Sequence, residues 1–524
     1  MFFRLRACCC AAAALAVLTL GARSAAAQDV SNLTHGIDLL NAGDLEGAAP
    51  IFFDVAENSG QQELQYRAEY YLALTLYKMN LYHSALYYDS TIIDEGPNHP
   101  YYGKAVENTL DVMDATGDKT TIPFLLDKYY NDAFAKLGKQ VIDRVNFIVA
   151  LWDSGQRKLE DSVAFLEAVK PDSVVYPRAL YLRGVQYAQE AKNGDSKQNE
   201  KAAQKFEQVL KLKNDTVQYT DLEAMQNLAT VALARVKYYQ GKFGEAYELY
   251  AKIPRYSKQW RDALFEGAYA AFMNDDYGHA LGMLHTLHAP VAGNQFVPES
   301  WLLEGTLYYY DCLFDESRAS LARLQDIYSN QTLTALKNLN AAKHEPEVFF
   351  NLLTKGPQDN LMIPENVRNE LFADDSLTAR RAYIAELAAE GTRLQAIDSW
   401  KGSLLQKALL EAVSEQRNKL IQAAGTAINR SLRQLQANLE DFDGQAEIVK
   451  FEMAKREKDQ LESGYDSEKQ LGKQKLGRPK MPGGDAEYWG FDGEYWPDEL
   501  GYYEYTLKNA CPPETAEASP AAGQ

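Results

Sequence analysis

The chain has 524 residues, 46% of them hydrophobic, and its 54 Lys and Arg stand against 73 Asp and Glu for a formal charge of −19. A field of that sign repels phosphates and anionic headgroups, so binding of nucleic acid or anionic lipid through the chain's overall field is not expected, which leaves peripheral membrane association open by other means. The length exceeds one ordinary domain and supplies ample apolar material for a core.

Arg4 and Arg6 precede an apolar run from about Ala7 to Leu20, and small residues close at Ala25-Ala26-Ala27 before Gln28. That order is a secretory signal peptide over residues 1–27, with a mature chain beginning near Gln28. Its loss removes Arg4, Arg6 and Arg23 and takes the charge to −19 − 3 = −22. The run is shorter than the roughly 20 residues a spanning helix needs, and no later stretch reaches that length, so no transmembrane span is expected. Cys8, Cys9 and Cys10 stand before the apolar run, whereas a lipoprotein's acylated cysteine follows it, so they leave with the peptide. Cys312 and Cys511 remain, two thiols that an oxidising compartment would allow to form one long-range disulfide.

The middle of the chain repeats itself. In WLLEGTLYYYDCLFDESRASLARL, Trp301, Gly305 and Tyr308 fall at the W-x2-L-G-x2-Y spacing of a tetratricopeptide repeat, with Glu304 in place of the usual Leu. Phe314, Ser317, Leu321 and Leu324 then supply the aromatic, small and large apolar residues of a second helix. Small residues such as Gly305 and Ser317 let two helices approach closely while the large ones fill the space around the crossing. Further copies carry Ala234, Gly241, Phe243, Ala246, Tyr250 and Ile253, then Ala268, Tyr277, Ala280, Leu284 and Leu287, and the step from Ala246 to Ala280 is 34 residues. Looser copies hold Gly36, Ala48 and Phe52, then Ala73, Leu76 and Ala85, then Gly184, Ala202 and Phe206, the last stretched by a polar insertion from Lys192 to Glu200. Two degenerate copies fill 101–172. About eight repeats therefore run over 29–330, an all-α solenoid of stacked hairpins with a groove for partner segments.

Pro346, Gly356, Pro357 and Pro364 mark 331–375 as a connection with short helices. From Ser376, an N-cap candidate, to about Ser463 the chain is proline-free. Ile428, Leu432, Leu435, Leu439, Phe442, Ala446, Val449 and Met453 recur there at alternating steps of four and three, a coiled-coil seam. Two solutions satisfy that seam: a hairpin with the apolar side of Leu387 to Val413, with a break near Gly425 or before it, or a homo-oligomer. Lys469, Lys473, Lys475, Arg478 and Lys480 form a basic linker over 464–484, ending in Pro482-Gly483-Gly484.

The segment 485–511 interleaves Tyr488, Trp489, Phe491, Tyr495, Trp496, Tyr502, Tyr503 and Tyr505 with carboxylates. Rings of this size bury much of their area, so Trp489, Phe491, Tyr495, Trp496, Tyr502 and Tyr503 dock either on the chain's own helices or on a partner. A Cys312–Cys511 bond would fasten this tail to the last repeat. Residues 512–524 have the composition of a disordered end. Together, the signal peptide, the repeats, the long helical region and the ending GEYWPDELGYYEYTLKNAC resemble the tetratricopeptide-repeat lipoproteins of the myxobacterial adventurous gliding-motility machinery. That resemblance implies an envelope scaffold, periplasmic or outer-membrane associated, inside a multiprotein complex.

Signs of catalysis are sparse, and no enzyme activity, cofactor or metal is expected. His285 and His288 stand one turn apart in HTLH, but no Cys or carboxylate flanks them at ligand spacing. TGDKTT at Thr116 to Thr121 lacks the frame of a phosphate loop, and G-x-S-x-G and H-E-x-x-H are absent. Envelope proteins are the expected partners, through the repeat groove.

Overall fold

The computed structural model describes residues 18–191, 196–290, 295–474 and 495–512. Most of the expected signal peptide, the linker residues Lys475, Arg478 and Lys480, and the tail residues Trp489 and Phe491 lie outside them. In chain order the helices are α1 (Leu18–Ala42), α2 (Leu45–Asn58), α3 (Gln62–Lys78), α4 (Tyr82–Glu95), α5 (Tyr102–Thr116), α6 (Thr121–Tyr129), α7 (Lys139–Gly155), α8 (Leu159–Ala168), α9 (Tyr176–Glu190), α10 (Ser196–Lys211) and α11 (Leu222–Tyr239). They continue as α12 (Phe243–Tyr250), α13 (Trp260–Met273), α14 (Tyr277–Leu287), α15 (Pro298–Tyr310), α16 (Phe314–Leu324), α17 (Thr334–Asn340), α18 (Pro346–Lys355), α19 (Glu365–Ala373), α20 (Asp375–Ala396), α21 (Leu404–Ser463) and α22 (Ser467–Lys473). A π-helical stretch, Gln325–Leu333, runs between α16 and α17. No helix among the described residues is long and apolar enough to cross a membrane.

Helices adjacent in sequence pack on one another as antiparallel pairs. One local device sets these pairs. At Gly43, Asn80, Arg157, Gly241, Asp275 and Cys312 the chain leaves a helix through a residue at positive φ, between 56° and 85°. The next amide then reaches back five residues, as in Leu81 N–H to Leu76 O, Lys242 N–H to Lys237 O, Asp276 N–H to Ala271 O and Leu313 N–H to Tyr308 O, all at 2.9 Å. This is a Schellman ending, which satisfies the last carbonyls and reverses the chain within two residues. Successive turns at 241, 275 and 312 lie 275 − 241 = 34 and 312 − 275 = 37 residues apart.

The chain divides into two compact units, residues 1–142 with 378–421, and residues 143–377 with 422–524. In the first, Phe52, Leu72, Leu76, Ile92 and Phe134 are fully buried. Gly36 makes room for the Phe52 ring, whose Cε1 lies 2.7 Å from where a Cβ would stand. α20 is held here by Glu390, a buried carboxylate that accepts the amides of His83 and Ser84 at 2.8 Å each and the Ser84 hydroxyl at 2.6 Å. Glu390 thus caps the start of α4 from another helix. Burial holds its carboxyl above the usual range despite those donors. Trp400, fully buried, donates its indole N–H to Glu46 O at 2.8 Å.

In the second unit Gly184 admits Phe206, whose Cε1 lies 2.5 Å from the position of a Cβ. Ser317 of α16 donates its hydroxyl to Gly305 O of α15 at 2.8 Å. Of the seam, Ile428, Leu432, Leu439, Ala446 and Met453 are buried at 2% exposure or less, while Leu435, Phe442 and Val449 are partly buried. Its partners belong to the paired helices: Arg318 donates to Glu457 at 2.7 Å, Ser329 to Asp443 at 2.8 Å, and Asn340 to Gln436 at 2.8 Å.

Two expectations for this region are corrected, the hairpin and the N-cap, and the place of the break is settled. α21 is one continuous helix of 60 residues through Gly425, so of the two places expected for a break, near Gly425 or before it, only the earlier one holds. Gly425 instead accommodates Pro346 O, which occupies the space of a Cβ. The interruption lies at Asp398–Trp400, followed by Gly402 at φ 77°. Leu404 to Val413 belong to α21 itself, so the expected 387–413 hairpin does not form, and side chains of the chain's own helices bond along the seam. Ser376 is inside α20, and Asp374 is the residue whose carboxylate accepts the Ser376 and Leu377 amides at 2.8 and 3.0 Å.

Candidate interaction surfaces

The repeat positions named from sequence are mostly interior. Ala48, Ala85, Ala202, Ala234, Ala246, Ala268 and Ala280 are all at 0% exposure, which suits positions where a larger side chain would separate two helices. Tyr308 lies half-buried against the α13–α15 core. Trp301 stacks on His288 with ring centroids 3.5 Å apart, and the Arg323 guanidinium lies 5.4 Å from its centroid.

Among the grooves open in the second unit, one is lined chiefly by aromatic rings. It holds about 440 Å³ and is lined by Arg235, Tyr238 and Tyr239 of α11, Tyr250 of α12, Phe265, Glu266 and Tyr269 of α13, and Glu299 of α15. Arg235 forms a two-pronged pair with Glu266 at 2.7 and 2.5 Å, and Tyr250 donates to the same carboxylate at 2.8 Å. That pairing raises the Arg235 pKa and fixes the groove floor. Tyr269 donates to Glu299 at 2.9 Å, whose carboxyl burial pushes above the usual range. Tyr239 is 77% exposed. The groove therefore offers aromatic faces with two carboxylates against one guanidinium.

A second surface is already occupied. Residues 495–512 run as a strap over α14 and its neighbours, turning at 497–501 and without regular structure from 502 on. The strap is held chiefly by its main chain: Gly501 N–H donates to Thr286 Oγ1 at 3.0 Å, Tyr505 N–H to Gly278 O at 3.1 Å, and Ala510 N–H to Asp311 O at 2.8 Å. Arg255 donates to Asp498 O at 2.7 Å, and the Tyr256 hydroxyl to Pro497 O at 2.9 Å. Gly278 and Gly282 form the notch: a Cβ on Gly282 would fall 1.7 Å from Tyr503 O, and one on Gly278 would fall 2.5 Å from Tyr505 O. Only glycine permits so close an approach of main chain to helix. Cys511 is bonded to Cys312.

The buried anchors of the strap differ from the most conspicuous rings. Leu500 and Ala510 are 1% exposed, and Tyr505 and Leu507 pack against the α13–α15 core. Trp496 and Tyr502 are 51% and 73% exposed, although Arg255 covers one face of Tyr502. Tyr495 and Tyr503 close around His285, at centroid distances of 4.5 and 4.6 Å, and the Tyr505 hydroxyl meets His285 Nδ1 at 3.1 Å. Burial lowers the His285 pKa to about 4. Sequence reading missed the notch, although two glycines four residues apart on one helix are the signature of a close approach.

His285 and His288 do not converge on one ligand. The first sits under the strap, while His288 Nε2 meets Ser300 Oγ at 2.8 Å. In the first unit Glu69, Glu95 and His99 bring one ligand-capable atom each within 4.8 Å of the others. His99 Nδ1 accepts the Tyr101 amide at 3.1 Å, so the ring proton sits on Nε2, which faces Glu69 at 3.6 Å. A protonated nitrogen is a donor and not a ligand, and the group is a buried His–Glu contact. No protein-family model matches the chain, and no curated protein matches it either.

Proposed function

We propose that the chain is a non-enzymatic, exported scaffold on a tetratricopeptide-type array, and that it recruits a partner segment into the α11–α13–α15 groove within a cell-envelope complex. The groove is the observation that supports this most. Tyr238, Tyr239, Phe265 and Tyr269 line it beside a fully paired Arg235–Glu266 floor, a rigid aromatic surface of the kind that receives extended peptide. The 34-residue spacing and the fully buried small residues support the repeat type. Two carboxylates to one guanidinium, on a chain of charge −19, favour a segment with Lys or Arg opposite Glu299 and apolar or proline residues on the rings.

The resemblance of the chain's ending suggests gliding motility as the process, and an accessory role in envelope assembly or cell division is the alternative. A photo-crosslinker at Tyr239 in the native envelope tests the groove. The expected result is one protein adduct that Phe265→Ala or Tyr269→Ala abolishes. Adducts indifferent to both substitutions would remove the groove from the proposal, and cleavage of peptidoglycan by the purified chain would move it to the enzymes.

A further inference from the structure

The strap reads as a ligand that happens to be covalently attached. Its seat recognises main chain at three points, through Thr286 Oγ1, Gly278 O and Asp311 O, and presses strap carbonyls into the Gly278–Gly282 notch. Side chains enter at alternate positions. Tyr503 and Tyr505 meet His285, while Glu504 between them lies 3.8 Å from His279 Nε2. Main-chain bonds plus alternating side-chain pockets are how proteins bind extended segments supplied by another chain.

The far end of the strap is held by main-chain contacts and by one covalent bond. Beyond Leu507, Lys508 is held by Leu471 O of α22, Asn509 by Gln474 just past that helix and the Ala510 N–H by Asp311 O, and the covalent tie to the paired helices is Cys312–Cys511. Cys312 is buried at 5% exposure, whereas Cys511 is only partly buried, so an incoming thiolate reaches the Cys511 sulfur first.

We propose that the strap seat on α14 is a strand-recognition site for an extended segment of Tyr-acid-Tyr pattern followed by Leu, and that Cys312–Cys511 is the lock that reserves it for the chain's own strap. The lock opens to a dithiol. One thiolate attacks Cys511 Sγ and releases the Cys312 thiolate, the second displaces Cys511 from the mixed disulfide, and the reductant leaves as its own disulfide. Two electrons and two protons pass to Cys312 and Cys511. The strap is then held by non-covalent contacts alone, and a competing strand of the same pattern takes the seat in proportion to its concentration.

The test uses the full chain and a fluorescent peptide of residues 495–511 with Ser replacing Cys511. Fluorescence anisotropy should show at least tenfold tighter binding to the Cys511→Ser chain, or to the wild type under dithiothreitol, than to the oxidised wild type. Gly282→Ala in the Cys511→Ser background should abolish that binding while circular dichroism stays unchanged, because the notch is filled without altering the helices. Equal binding to oxidised and reduced chains, no binding after reduction, or binding that survives Gly282→Ala would each overturn the proposal.

Discussion

Replacing Gly282 by Ala should change sign with the strap. An ideal Cβ there lies 1.7 Å from Tyr503 O, while ordinary contact begins at 3.4 Å, so the strap must rise by 3.4 − 1.7 = 1.7 Å. That lift carries the Tyr505 N–H to Gly278 O bond, now 3.1 Å, and the Gly501 N–H to Thr286 bond, now 3.0 Å, beyond hydrogen-bonding range. Two such bonds are worth about 1 kcal/mol each, and the overpacking costs roughly 1–3 kcal/mol more. Ala in a helix interior returns about 1 kcal/mol relative to Gly. The full chain should therefore lose about 2–4 kcal/mol, whereas a chain ending at residue 494 should gain about 1 kcal/mol. Urea unfolding of both backgrounds measures the difference, and limited proteolysis reports whether the strap has lifted. Equal destabilisation in both would refute the assignment of Gly282 to strap seating.

Other perturbations follow from the same contacts. Opening Cys312–Cys511 by the double Ser variant frees a loop of 199 residues, for which chain entropy gives about 5 kcal/mol as an upper value; a urea midpoint unchanged from wild type would contradict a native bond. Glu390→Ala strands the His83 and Ser84 amides and the Ser84 hydroxyl at the start of α4, at about 2–4 kcal/mol, and Glu390→Gln should cost less because it still accepts. Acid should weaken the fold through His83 and His285, both neutralised by burial with pKa lowered to about 4. The unfolded chain takes up protons near pH 6.5 and the folded one only near pH 4. The stabilisation is therefore complete above pH 6.5 and lost as the pH falls to about 4, by at most about 3 kcal/mol for His83 and less for the partly solvated His285. Stability measured from pH 7 to 4 in His83→Gln should fall less steeply than in wild type. Glu390, whose folded pKa is raised, acts in the opposite sense, so Glu390→Gln should steepen the same curve.

Much of the architecture was legible in the residues themselves. Helical pairs follow from period and from small residues at the crossings, because a Cβ at Gly36, Gly184 or Gly305 would meet Phe52, Phe206 or Leu321 within 3 Å. The turns follow from local geometry, which Gly43 and Gly241 announce and Asn80, Asp275 and Cys312 conceal, since a left-handed residue other than Gly carries a weak signal. The seam of α21 was equally plain, because an apolar stripe depends only on the spacing along one helix. What covers that stripe was not, since paired helices and a second coiled-coil strand demand the same pattern of apolar residues.

Sequence alone therefore determined the helices, their amphipathic faces and the two cysteines available for a bond. Tertiary structure alone decided the partners: Glu390 as the cap of a helix 307 residues away, α21 against the paired helices, and the strap over α14. The physical reason is that secondary structure and burial answer to local spacing. Which surface meets which depends on shape at both sides of a contact, and the strap shows it best, since its position is fixed by two absent side chains at Gly278 and Gly282.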